Sequence, residues 1–326
     1  YPSTSKQLDL ARLLEQELTH LGLEDVVLDE YGYVTAALPS NVNHPTQTVG
    51  FIAHMDTSPA ASGKDVKAQV IENYDGEDIL LNPESGIHLS PRDFPGLQKH
   101  VSKTLVVTDG TTLLGADDKA GIAAIMSAMA TLIENPEIPH GRIRVGFTPD
   151  EEVGAGVDYF DVPGFAADFA YTLDGGPVGE FAYENFNAAG AAIKINGKSV
   201  HPGDSKYKLI NALQVAIDFH NLLPVFDRPE NTEKREGFYH LVSLSGEADQ
   251  AKMEYIIRDH DREKFEQKKV LMQKAANYVN ALYGEGTFEL DLKDQYYNML
   301  EMVSPHPQVL DIARQAYRNV GIEPVE

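Results

Sequence analysis

Cysteine is absent from all 326 residues. That excludes disulfides, a thiolate nucleophile and any Cys-ligated metal site, so a metal in this chain must be held by histidine and carboxylates. Basic residues are scarce: 27 Lys and Arg stand against 50 Asp and Glu, a formal net charge of -23. Such a surface repels a phosphate backbone, and no nucleic-acid partner is expected. No apolar run approaches the length that spans a bilayer, so no membrane association is expected. The chain opens at Tyr1-Pro2-Ser3 with no basic-then-apolar leader, which makes the cytoplasm the expected location. No repeat or low-complexity tract is evident. What is present is the composition of a globular protein, 42% hydrophobic and 24% charged, in a chain long enough for two domains.

Leu8, Leu10, Leu13, Leu14, Leu18 and Leu21 recur at roughly helical spacing before Gly22, and predict a surface helix. Val26–Leu28 and Tyr33–Leu38 read as strands. Thr48–Ala53 is a nearly unbroken apolar strand, of the kind found in a sheet covered on both faces, and it runs into His54-Met55-Asp56. Ser58–Leu105 has weak periodicity and reads as an excursion of short strands and loops. Thr104–Val107 resumes the strand pattern, and Ile122, Ile125, Met126, Met129, Leu132 and Ile133 form a helical stripe that ends before Pro136. Arg142–Thr148 leads into Pro149-Asp150-Glu151-Glu152, and Phe169–Leu173 leads into Asp174-Gly175-Gly176.

From about Glu184 the order of elements becomes β-α-β-β-α-β, the split-βαβ arrangement, with a long helix over Arg262–Tyr283. The expected fold is therefore α/β: a mixed-sheet catalytic domain with an inserted ferredoxin-like lid. The expected boundaries are 1–186 for the first part of the catalytic domain, 187–298 for the lid and 299–326 for the second part.

The adjacent carboxylates Asp117 and Asp118 sit between an apolar run and the start of a helix. Packing both there is costly unless a cation or strong donors neutralise them. In open α/β sheets ligands bind beyond the carboxyl ends of strands, where His54, Asp117, Glu152 and Asp174 are all expected. One acid in such a loop is ordinarily solvated; four such groups together point to a two-metal hydrolytic site. That chemistry needs a bridging carboxylate, terminal ligands and a base. Asp117 is the candidate bridge, with His54 and Asp174 completing one ion and Glu152 serving the other. Residues two apart on an extended segment face the same side, so Asp56 can hold the second nitrogen of the His54 imidazole. Glu151, beside Glu152 but diverging from it, is the candidate base. Asp118 is either a support for the bridge or a helix N-cap.

The segments HMDTSP, TLLGADDKAG, FTPDEEVG, YTLDGG, NFNAA, VHPG, GFYHL, YIIRD and YYNM, in order and in register, resemble the M20 family of dinuclear zinc peptidases at its tripeptide-aminopeptidase branch. The resemblance runs from near residue 6 to residue 326. It implies two zinc ions per chain, tripeptide substrates, and His54, Asp117, Glu152 and Asp174 as ligands with Asp56 and Glu151 as the catalytic pair. It further implies that His201 polarises the scissile carbonyl, that Arg258 grips the substrate carboxylate and that Asn298 contacts substrate. A bidentate guanidinium suits the second of these tasks. Other M20 activities (dipeptidase, carboxypeptidase, N-deacylase) and a catalytically silent peptide-binding relative share these motifs, and a homodimer is open. In family members a late histidine completes the second zinc. His306 matches a different position, so that ligand is expected from sequence beyond Glu326.

Overall fold

The leucine periodicity near the N-terminus forms helix α1 (Gln7–Leu21), which buries Ala11, Leu14 and Leu18 on one face and ends at Gly22 in the left-handed conformation that glycine adopts without strain. The computed structural model describes residues 1–326 and divides them into two units, Tyr1–Pro177 and Val178–Glu326.

In the first unit α1 is followed by β1 (Glu24–Leu28), β2 (Val34–Leu38), β3 (Val49–His54), β4 (Gln69–Ile71), β5 (Ile79–Asn82), β6 (Ile87–Leu89), β7 (Leu105–Val107), α2 (Ala116–Glu134), β8 (Ile143–Thr148), α3 (Val162–Phe165) and β9 (Phe169–Thr172). The main sheet has the order β1-β2-β8-β3-β9. β1, β2 and β8 pair antiparallel, while β8 and β9 both run parallel to β3. This is the expected mixed sheet. Its core joins Leu14 and Leu18 of α1, Ile122, Ile125 and Met129 of α2, and Val34, Val145 and Phe147 of the strands. The parallel trio matters for function because its carboxyl ends lie side by side. His54 is in register with Thr148, and Ile52 with Thr172, which brings the residues after β3, β8 and β9 to one edge.

One expectation is corrected. Thr104–Val107 does not lead from the main sheet into the acidic pair: β7 pairs only with β4, in a two-stranded sheet apart from the five-stranded one, inside the excursion. Asp117 is delivered by the first turn of α2. A three-residue apolar strand carries no signal of which sheet it joins.

The second unit contains β10 (Asn187–Asn196), α4 (Ala212–Leu222), β11 (Phe238–Gly246), β12 (Gln250–Asp259), α5 (Arg262–Tyr283), β13 (Phe288–Tyr296), α6 (Leu300–Val303) and α7 (Pro307–Asn319). Its sheet is antiparallel throughout in the order β11-β12-β10-β13, the split-βαβ topology. Period-two burial selects its inner face: Ala189, Ala191, Ile193 and Ile195 on β10, and Ala251, Met253, Tyr255 and Ile257 on β12, pack with Phe219 of α4 and Phe265 and Met272 of α5. Asn211 and Asp261 cap the two helices through their side chains. Residues 178–186 and 299–326 group with this unit. Val325 bridges to Glu180, and the Tyr317 hydroxyl donates to the Glu180 carbonyl.

Candidate metal centre

His54, the last residue of β3, is buried to 2% exposure and lies at the centre of the acidic edge. Its Nε2 is 2.9 Å from Asp117 Oδ1, 3.8 Å from Asp174 Oδ2 and 3.9 Å from Glu151 Oε2. Its Nδ1 is 3.3 Å from Asp56 Oδ1. One ligand atom from each of His54, Asp117 and Asp174 falls within 4.8 Å of the others. The three come from a strand end, a helix start and the loop after a second strand, so only the folded sheet assembles them.

The supporting carboxylates are held by backbone donors. Asp56 accepts the N–H groups of Glu151 and Glu152, each at 3.0 Å, which fixes the turn Glu151–Val153 against the β3 terminus. Asp118, also 2% exposed, accepts the His54 N–H and the Gly121 N–H, both at 3.1 Å. Its bond to the Gly121 N–H is the capping contact considered for it, and its second bond, to the His54 N–H, steadies the histidine. The Asp117–Asp118 peptide is cis. Gly121 is obligatory here: a Cβ would lie 2.1 Å from the Leu173 carbonyl oxygen and 2.5 Å from Asp118 Oδ1. Lys119 Nζ ties the loop after β3 by donating to the Asp56 carbonyl at 3.1 Å and to Thr57 Oγ1 at 2.5 Å.

Charge crowding shifts the titrations. Burial pulls the His54 imidazole down, but Asp56 and Asp117, with Asp174 behind them, outweigh it and push it up to about 9. Burial raises Asp118 to about 6 against the pull of its two N–H donors. Burial also raises Asp174, reinforced by Asp117, and raises Glu151, reinforced by Asp174 and Glu152 and opposed by His54. Burial would raise Asp56 too, but His54 and the two backbone N–H groups hold it below the ordinary carboxylate range. Burial depresses the Lys119 ammonium despite the acids around it.

A metal ion fits this donor set. Imidazole nitrogen and carboxylate oxygens are what a cysteine-free site offers a borderline cation, and three outward acids converge on one imidazole with a proton as their only shared counter-charge. Asp117 is 62% and Glu151 53% exposed in their side chains, so the acids face open space opposite the buried His54.

Known proteins are similar to this chain along nearly its whole length. Peptidase T of Clostridium novyi is 55% identical over 324 residues, covering 99% of this chain and 80% of that protein. Peptidase T of Halothermothrix orenii is 56% identical over 324 residues, covering 99% and 79% respectively. The chain belongs to the peptidase T family. Peptidase T membership makes it a metallo-aminopeptidase, and the His54–Asp117–Asp174 cluster is a group that could hold its metal. Residues 183–287 match the family model described as a peptidase dimerisation domain. In fold the chain is similar to the crystal structure of aminopeptidase PepT from Bacillus cereus, with a TM-score of 0.76 at 24% identity over 97% of this chain and 78% of that one. It is also similar to a tripeptidase from Staphylococcus aureus, at 0.74 and 23% over 96% and 76%. A dinuclear metal-binding M20 peptidase from Bacillus subtilis gives 0.60 and 15% over 98% and 76%.

The remaining expected site residues stand as follows. Glu152 lies in the acidic turn beside Glu151, outside the three-residue cluster. In the second unit, His201 is exposed at the start of a short turn and its Nδ1 accepts the Gly203 N–H at 3.1 Å. Arg258 Nη1 donates to the carbonyls of Ile257 at 2.9 Å and Ala189 at 3.3 Å, with the guanidinium 5.5 Å from the Tyr296 ring centroid. Asn298 is buried, and its Oδ1 accepts from the N–H groups of Asn185 and Leu300 at 3.2 and 2.9 Å. Residue patterning missed Asp118's hold on the His54 N–H, and the parts played by Lys119, Gly121 and Asp150. A signal for the last was available: Gln7 is a polar residue on the same stripe as Ala11, Leu14 and Leu18, so it needs an interior partner.

Proposed function

We propose that the chain removes the N-terminal residue from tripeptides, using two zinc ions. The observation that carries this reading is the meeting of His54, Asp117 and Asp174 within 4.8 Å, with Glu151 Oε2 3.9 Å from the imidazole on the open side. His54 and Asp174 would hold one ion and Glu152 the other, with Asp117 shared between them. Bound metal supplies a lowered pKa for water and polarisation of the scissile carbonyl.

The chain's own residues do the rest. Asp56 Oδ1 stands 3.3 Å behind the imidazole as the counter-charge facing Nδ1, leaving Nε2 toward the cluster. Glu151, with its pKa raised by burial and by neighbouring acids, is suited to take a proton at Oε2 and pass it to the departing amine. His201 accepts a hydrogen bond at Nδ1, so the tautomer this selects carries its proton on Nε2, a donor for the developing oxyanion. Arg258, held at Nη1 by two carbonyls, presents a preset guanidinium plane for the peptide's carboxylate. Asn298 supports this strand end from within. The match of residues 183–287 to a domain named for dimerisation supports a homodimer.

Glu151→Ala tests the assignment: zinc content by elemental analysis should be unchanged and tripeptide turnover should fall by roughly 10²–10⁴-fold, the usual worth of a positioned base. Normal turnover in that variant sinks the assignment, and a preference of the wild-type protein for N-acyl amino acids over free-amine tripeptides moves it to another M20 activity.

A further inference from the structure

We propose that Gln7 and Ser3, remote in sequence from the acidic turn, are positioning residues that grip Asp150 and so set where Glu151 and Glu152 stand. Asp150 is 1% exposed and has a φ of 60°, the left-handed conformation that redirects the chain as it leaves β8. Its Oδ1 accepts from Gln7 Nε2 at 2.6 Å and Ser3 Oγ at 2.5 Å, and its Oδ2 accepts from the Ser3 N–H at 2.8 Å. The Gln7 amide closes the loop by accepting the Asp150 N–H at 3.1 Å on Oε1. A primary amide that both donates to a residue's side chain and accepts from its backbone fixes position and orientation together.

These donors all come from residues 3–7, and they balance a carboxylate that burial would otherwise strand. Gln7 is itself a fixed point, since Ala11, Leu14 and Leu18 on the same stripe of α1 lie in the core. The conformation so imposed on Asp150 is what sends the next two N–H groups, of Glu151 and Glu152, onto the two oxygens of Asp56. The far side of the turn is closed by the Ala155 N–H on the Asp150 carbonyl at 2.9 Å, with the Tyr1 hydroxyl on the Ala155 carbonyl at 2.7 Å. The helix start and the acidic turn thus form one mechanical unit. A shift of about 1 Å at such a turn is large on the scale at which catalytic geometry is set.

The inference rests on reading Glu151 as the base and Glu152 as a ligand, and its test separates the two. In Gln7→Ala, amide hydrogen exchange at Glu151 and Glu152 should accelerate roughly tenfold or more, while the Met55 amide bonded to the Thr148 carbonyl keeps its protection. In the same variant kcat on a tripeptide should fall roughly 10- to 100-fold with KM changed less than about twofold. Ser3→Ala, which removes one donor, should show the same pattern more weakly, and Ser3→Thr, which restores the hydroxyl, should return kcat toward wild type. If Gln7→Ala does not fold, Ser3→Ala against Ser3→Thr carries the test alone. Exchange at Glu151 and Glu152 unchanged while only the melting temperature drops overturns the inference, because Gln7 is then an anchor for α1 and nothing more. Accelerated exchange in a protein whose Glu151→Ala variant keeps its turnover upholds the clasp and refutes the catalytic reading instead.

Discussion

Gly121→Ala should disable the site without replacing any charged group. The added Cβ would stand 2.1 Å from the Leu173 carbonyl oxygen and 2.5 Å from Asp118 Oδ1, and neither neighbour is the free end of a flexible chain. Relief needs roughly 0.9 Å of movement against the carbonyl, by shifting either α2 or the end of β9, at a cost of about 1–3 kcal/mol for overpacking. Both routes strike the centre. Moving α2 carries away Asp117 and loosens Asp118 from the His54 N–H; moving Leu173 displaces Asp174, the next residue. A displacement near 1 Å should lower turnover on the order of 10²-fold. The assay is urea denaturation together with tripeptide kinetics and metal affinity, run beside Gly96→Ala, where no atom lies within 4 Å of the added methyl and stability should change by less than about 0.5 kcal/mol. Wild-type turnover and stability in Gly121→Ala would refute the claim that α2 and the β9 end are in contact through this glycine.

Three further outcomes follow from the site and from the second unit. With His54 pushed up to about 9, a metal entering the cluster at neutral pH must displace one proton, so apparent affinity should rise about tenfold per pH unit between roughly pH 6 and 8; a flat competition titration would contradict this. In the metal-free protein the sign reverses: the imidazolium contributes stability that is fully present below its ordinary 6.5 and is lost as pH rises through about 9, measurable by chemical denaturation across that window. Asn298→Ala should cost about 2–3 kcal/mol in unfolding free energy, because it strands the N–H groups of Asn185 and Leu300. A large KM effect at unchanged stability would instead make Asn298 a substrate contact.

The fold was legible where apolar runs are long and end abruptly. Val49–His54 and Ile143–Thr148 announce buried strands by composition, and the acids beyond them mark the ligand edge of a parallel sheet. Alternation on β10 and β12 likewise made the second unit's sheet readable. What failed was anything decided by three-dimensional pairing at short range. β7 has three residues, and nothing in Leu105-Val106-Val107 says that its partner is Gln69–Ile71 and not the main sheet. In the same way nothing in the sequence says that Asn185 and Asn187 meet Asn298, which the family resemblance implies only as a substrate contact. Their side chains in fact cross-link the chain segments where β10 begins and β13 ends, with Asn187 Oδ1 accepting the Asn298 N–H at 2.9 Å.

Neighbouring acids were the hardest to read, because sequence gives them identical chemistry and the structure gives them opposite tasks. In Asp117-Asp118 and in Asp150-Glu151, one member turns inward and is satisfied by several N–H or O–H donors while the other faces the open side, Asp117 with only the His54 imidazole 2.9 Å from it. Asp118 takes two backbone N–H groups, and Asp150 takes donors from Ser3 and Gln7. Asp56 follows the inward pattern, holding the N–H groups of Glu151 and Glu152. Each inward acid is therefore closed by its own donors, and through Asp56 those donors are the backbone N–H groups of the acidic turn itself. The outward set, Asp117, Glu151 and Asp174, is left around one imidazole, whose single proton is shared among three carboxylates, and this is the condition under which a cation, and not another side chain, completes the structure.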